Sequence, residues 1–163
     1  MHPVLGLDHL VAMVAVGLWG AQLGSPALWL LPIAFPLVMS LGAVAGVLAL
    51  PLPFIEWGVA LSALALGALV ALRVRAPLWV AAGLVGAFAV FHGHAHGTEV
   101  PAAANALAYG VGFVSATGLL HLLGILIGAL VKLPSGLVVV RCFGAGVAAA
   151  GLFFLASAWG LSS

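Results

Sequence analysis

Residues 78–99 read LWVAAGLVGAFAVFHGHAHGTE. An apolar run from Leu78 to Phe91 ends abruptly in His92-Gly93-His94-Ala95-His96-Gly97-Thr98-Glu99. As a helix, about 20 such residues cross a hydrocarbon core of roughly 30 Å. Apolar runs of similar length recur along the chain. The chain is 66% hydrophobic and 4% charged, with a mean hydropathy of +1.38. No polar surface is available to cover a soluble domain of that composition. The expected fold class is therefore all-α: a polytopic membrane protein forming a six-transmembrane-helix bundle, as one transmembrane domain over residues 1–163.

The polar end of this stretch carries three of the six histidines and one of the three acids. Ionisable groups at membrane depth are costly and mark functional sites by default. On a helix, His92 and His96 stand at i and i+4 and share a face. His94 points away from them, which suits a structural or entrance role. Glu99 lies one turn beyond His96. Two imidazoles one turn apart, with a carboxylate near, suit nickel, cobalt, zinc or copper.

Working outward, the first helix is predicted from Pro3 or Gly6 to Gln22, and Gly24-Ser25-Pro26 makes a turn. The second spans Ala27 to Leu50 with Pro32 and Pro36 inside it, where a kink near Pro36 is expected because proline removes a backbone donor. The third covers Phe54 to Leu72, the fourth Leu78 to His96, the fifth Ala102 to Val131 and the sixth Gly136 to Trp159. Small-xxx-small pairs at Gly20/Gly24, Gly42/Gly46, Gly93/Gly97 and Gly124/Gly128 permit close helix contact. Trp19, Trp29, Trp57, Trp79 and Trp159 read as residues of the interfacial belts. The only cysteine, Cys142, excludes an intramolecular disulfide or a thiolate cage.

Short loops make the bundle alternate in direction. Arg73, Arg75, Lys132 and Arg141 then fall on one side, which the positive-inside rule makes cytoplasmic. Both termini are then expected outside (N-out/C-out), in a multi-pass membrane protein. The abrupt start at Met1-His2-Pro3 is consistent with a signal peptide removed before it. On this topology every acid and histidine lies in the outer half or near the middle. His2, Asp8 and His9 sit at the outer end of helix one and Glu56 at that of helix three. His92, His96 and Glu99 sit at the outer end of helix four, and His121 lies mid-helix in helix five. His2 and His9, seven apart, share a face if the helix reaches back that far. Asp8 is placed to ligate a metal or to orient a histidine through its second ring nitrogen. Glu56 reads equally as a surface carboxylate and His121, taken alone, equally as a packing residue, while an exposed loop acid is the lesser reading of Glu99.

The segment His2-Pro3-Val4-Leu5-Gly6-Leu7-Asp8-His9 resembles the HPxxGxDH signature of the HupE/UreJ family, and Phe91 to Glu99 resembles its FHGxAHGxE signature. The resemblance spans essentially the whole chain. It implies a bacterial nickel permease, cobalt in some members, associated with hydrogenase and urease maturation. It also implies that His2, Asp8, His9, His92, His96 and Glu99 handle the metal.

The function expected is a transition-metal permease. Its substrate is Ni2+, with Co2+ or Zn2+ as alternatives, captured by imidazoles and carboxylates near the outer face. Glu56, His94 and His121 are candidate pathway or supporting residues, His121 being the next stop inward. Conduction needs sites strong enough to admit an ion and weak enough to release it, which favours mixed imidazole and carboxylate ligands. No prosthetic group is expected, and the absence of GxxxxGK[ST] means the chain itself does not use ATP. The partners are the lipid bilayer and the metal ion, with a homo-oligomer and a cytoplasmic metallochaperone as candidates; a net charge of +1 argues against nucleic acid. The alternative is an intramembrane zinc-dependent enzyme using the same His/Asp cluster, but HExxH is absent and few polar residues remain to bind a substrate. A haem carrier is disfavoured, because His92 and His96 on one helix face cannot ligate opposite sides of one haem.

Overall fold

A computed structural model describes residues 6–100 and 105–160. Those residues form six α-helices and no strand: α1 (Leu7–Leu23), α2 (Ala27–Val47), α3 (Ile55–Ala71), α4 (Leu78–Thr98), α5 (Ala106–Gly128) and α6 (Gly136–Ala158). A 3-10 turn, Ala129–Lys132, continues α5. The all-α membrane bundle expected from the apolar runs is what forms. Asp8, Glu56, His92, His96 and Glu99 fall at one end, here the histidine end. Arg73, Arg75, Lys132 and Arg141 fall at the other, the basic end.

The boundaries shift where polar groups intervene. α4 runs on through Thr98 rather than stopping at His96; the Thr98 hydroxyl donates to Ala95 O (2.7 Å). The expected beginning of α5 at Ala102 lies outside the described residues. The helix that is seen opens at Asn105, whose side-chain oxygen accepts the Ala108 N–H at 3.0 Å, an N-cap that satisfies an otherwise orphaned donor. α2 continues through both Pro32 and Pro36.

Helix α1 is the hub, with α2, α3, α5 and α6 all packed on it. Its residues Ala12 to Gly20 are buried without interruption. A helix buried all round needs no amphipathic stripe, and α1 has none. Both α1 and α3 have 17 residues, about 25 Å at 1.5 Å per residue. The other four are long and apolar enough to cross a membrane. Their outward faces carry Leu37, Leu41, Val44, Val111, Leu119, Leu126, Val138 and Leu152, all well exposed. So much exposed apolar surface is stable only against lipid.

Glycines set the close helix pairs. A Cβ on Gly93 or Gly97 of α4 would strike the backbone of Met39 or Ala43 in α2, and one on Gly42 would meet Val90 O. Two of the expected small-residue pairs thus interlock. Gly20/Gly24 does not work this way: Gly24 ends α1 with φ 81° and touches nothing a side chain would disturb. Trp19 also departs from the belt reading. It is fully buried, and its indole N–H donates to Val74 O in the α3–α4 loop at 3.1 Å. Gln22 makes a parallel bond to Val70 O at 3.1 Å, and the Arg141 Nε–H donates to Ala71 O at 2.7 Å. Trp29, Trp79 and Trp159 are exposed at helix ends, and Trp57 packs edge-on against Trp159.

Candidate metal site

At the histidine end, α1 and α4 bring three imidazoles into mutual contact. The His9 ring centroid lies 4.6 Å from that of His92 and 4.4 Å from that of His96. His92 is fully buried; His9 and His96 keep about a fifth of their side chains exposed. The i, i+4 spacing on α4 therefore does place His92 and His96 on one face, the face toward α1. The rings meet edge to face. Among the described residues, no three His, Cys, Asp or Glu side chains stand ready-made as a metal cage, so an ion could be held here only if these rings turned.

The hydrogen bonds fix which nitrogen each ring can offer. Asp8 Oδ1 accepts from both the backbone N–H of His9 (2.8 Å) and its ring Nδ1 (3.0 Å). A carboxylate only accepts, so Nδ1 carries the proton and Nε2 keeps its lone pair. That Nε2 is buried with no partner. Ser62 of α3 gives its single hydroxyl proton to Val59 O (2.6 Å). Its oxygen is left to accept from His92 Nε2, 2.8 Å away. His92 Nδ1 then holds the lone pair, and it too is buried and unpartnered. Bonding one imidazole nitrogen to a carboxylate, carbonyl or hydroxyl, so as to present the other, is the usual arrangement around a metal ligand. Buried polar atoms normally have partners, and here two lone pairs lack one.

Carboxylates line the mouth. A pocket of about 170 Å³ is bounded by Asp8, His9, Ile55, Glu56, Val59, Ala95, Thr98 and Glu99. Glu99 Oε2 stands 4.0 Å from His96 Nδ1, too far for a hydrogen bond and close enough for a shared ion. Phe113 of α5 closes the other side of His96, with ring centroids 4.2 Å apart. Gly6 fits here for want of room: a Cβ would lie 2.7 Å from Asp8 Oδ1 and 2.9 Å from His9 Nδ1.

His94 is turned away, as its phase on the helix requires. It is buried against α2 and its Nε2 donates to Leu50 O at 2.7 Å. His121 sits deeper, beyond the Phe35 ring. His2 lies outside the described residues. Ser62 and Phe35 were not singled out from the sequence. Ser62 is the only hydroxyl residue in the apolar run of α3, which is a signal, but one without an indicated partner.

A bundle with almost no charge, whose imidazoles and carboxylates gather mainly at one end, defines a helical membrane protein with a histidine-rich polar end. The chain belongs to the HupE/UreJ family: the family model described as HupE / UreJ protein matches residues 1–154. It is 48% identical over 154 residues to Protein HupE of Rhizobium leguminosarum bv. viciae, covering 94% of this chain and 81% of that one. No solved structure matches. The family is associated with nickel and cobalt transport for hydrogenase and urease, and its proteins are of transporter type rather than enzymes.

Proposed function

We propose that the protein is a Ni2+ permease of the bacterial inner membrane, with Co2+ as the alternative substrate, supplying hydrogenase or urease maturation. The observation that carries this is the contact of His9 with His92 and His96, with two of these rings holding a buried lone pair in reserve. Neutral imidazole suits nickel and cobalt better than magnesium or calcium. Asp8, Glu56 and Glu99 attract the cation to the pocket. An ion entering there exchanges water for His9 Nε2 and His92 Nδ1, with His96 and Glu99 completing the set. His2 of the N-terminal signature is a further candidate ligand. Few ligands of mixed type allow release as well as capture.

The histidine end faces outward in this reading and both termini lie outside, because the four basic residues occupy the other end. The test is uptake of radioactive nickel by vesicles containing the purified protein. Saturable uptake that His92→Ala abolishes supports the permease. Uptake no greater than in empty vesicles rejects it.

A further inference from the structure

Below the outer cluster, one imidazole is buried with no role in the site above. His121 of α5 is 1% exposed. Its Nδ1 stands 3.2 Å from Pro32 O of α2. That carbonyl is free because Pro36, four residues on, has no N–H to give it. A carbonyl only accepts, so His121 Nδ1 carries the proton. Its Nε2 therefore keeps a lone pair, and that atom is buried without a partner. Thr117, 3% exposed, lies one turn earlier on the same face of α5. The Phe35 ring is fully buried and touches both stations, with centroids 5.5 Å from His92 and 5.4 Å from His121.

We infer that His121 Nε2 is a second, interior station for a divalent transition-metal ion, reached from the outer cluster past the Phe35 ring. This rests on the permease reading and deepens it. The proline pair creates the station: Pro36 frees a carbonyl, the carbonyl fixes the His121 tautomer, and the tautomer aims a lone pair into the bundle. One imidazole binds an ion far more weakly than the three-histidine cluster, with water filling the remaining positions. A weak site after a strong one is what onward movement requires. His94 also holds a buried, unpartnered Nδ1, but its ring lies against α2, whereas His121 shares the Phe35 ring with His92.

The test compares wild-type protein with His121→Gln and His121→Ala. Glutamine retains an N–H donor for Pro32 O while removing the imidazole lone pair, so a folding loss confined to alanine does not confound the result. Ni2+ binding is measured by calorimetry and radioactive nickel uptake in vesicles. Expected in His121→Gln is outer-site affinity within roughly two-fold of wild type, with uptake lowered by roughly ten-fold or more. Uptake close to wild type overturns the interior station. Loss of the tight binding itself also overturns it, because His121 would then belong to the capture site. If the wild-type protein shows no saturable uptake, the permease reading fails instead, and the two failures are read from different samples.

Discussion

At the scale of single residues, each histidine in the core has one nitrogen committed to an oxygen, and the choice of oxygen sets what the other nitrogen can do. His92 depends on Ser62. Ser62→Ala should release the ring and lower nickel affinity by roughly 10–100-fold, the usual effect of removing a partner behind a ligand. Nitrogen-15 shifts of His92 should change from one tautomer to a mixture, which a purely structural serine would not cause. His92→Ala and His96→Ala should abolish binding. His94→Ala should spare it, losing only the bond to Leu50 O and about 1 kcal/mol of stability. Equal losses at all three positions, by calorimetry, would contradict the face assignment. Gly6→Ala should weaken nickel binding as well, since its methyl would crowd both Asp8 Oδ1 and His9 Nδ1. The ligand candidates were legible in the sequence, because charged and imidazole groups stand out in a chain that is 4% charged. Ser62 was not, because its contact joins two helices 30 positions apart and no local pattern encodes that.

At the scale of elements, the second signature of the family carries two jobs on one helix. His92 and His96 face α1, while Gly93 and Gly97 lie against Met39 and Ala43 of α2. The glycines let α4 approach closely, and that approach sets where the imidazoles stand. Gly93→Val should therefore lower the unfolding temperature in detergent, with an overpacking cost of about 1–3 kcal/mol, and should impair uptake. Gly83→Ala and Gly86→Ala on the same helix meet open space. They should be neutral or stabilising by up to about 1 kcal/mol. If Gly93→Val unfolds no more readily than Gly83→Ala, the close approach is not what fixes α4. The spacing rule marked Gly42/Gly46 and Gly93/Gly97 as close-contact positions without naming their partner, and it misassigned Gly20/Gly24, because four-residue spacing cannot distinguish a helix face from a helix end. The α3–α6 contact is missed when only glycine–glycine pairs are singled out. There Gly67, Gly144 and Gly151 pack against Ala148, Ala71 and Leu64; Gly67/Ala71 and Gly144/Ala148 have the same four-residue spacing with alanine as the second small residue.

At the scale of the whole molecule, the short central helix and the segregation of charge belong together. α1 and α3, with 17 residues each, are shorter than the other four helices, and Asp8 and His9 stand in the first turn of α1. The pocket beside them is open at that end, while α2, α4, α5 and α6 present apolar side chains to lipid. Six helices and their order could be read from hydropathy alone; the hub position of α1 could not, since burial on all sides leaves no periodicity to detect.

The proposed direction across the membrane rests on charge. Arg73, Arg75, Lys132 and Arg141 have no acid at their end of the bundle, and all three acids lie at the other. Basic residues in short loops are retained on the cytoplasmic side. The loop at Ser135 should thus be cytoplasmic and the loop at Ala49 external. With Cys142→Ala as background, Ala49→Cys should react with a membrane-impermeant maleimide on spheroplasts. Ser135→Cys should react only after the membrane is opened. In the proposed permease the same orientation would make transport vectorial, with capture from outside. Vesicles with the histidine end outward should take up nickel at low external concentration. Inverted vesicles should need more, because the ion would first meet the basic end, where no imidazole cluster concentrates it. The reverse labelling pattern would put the histidine cluster in the cytoplasm. It would turn the capture site into a release site, and the permease would then have to be an exporter.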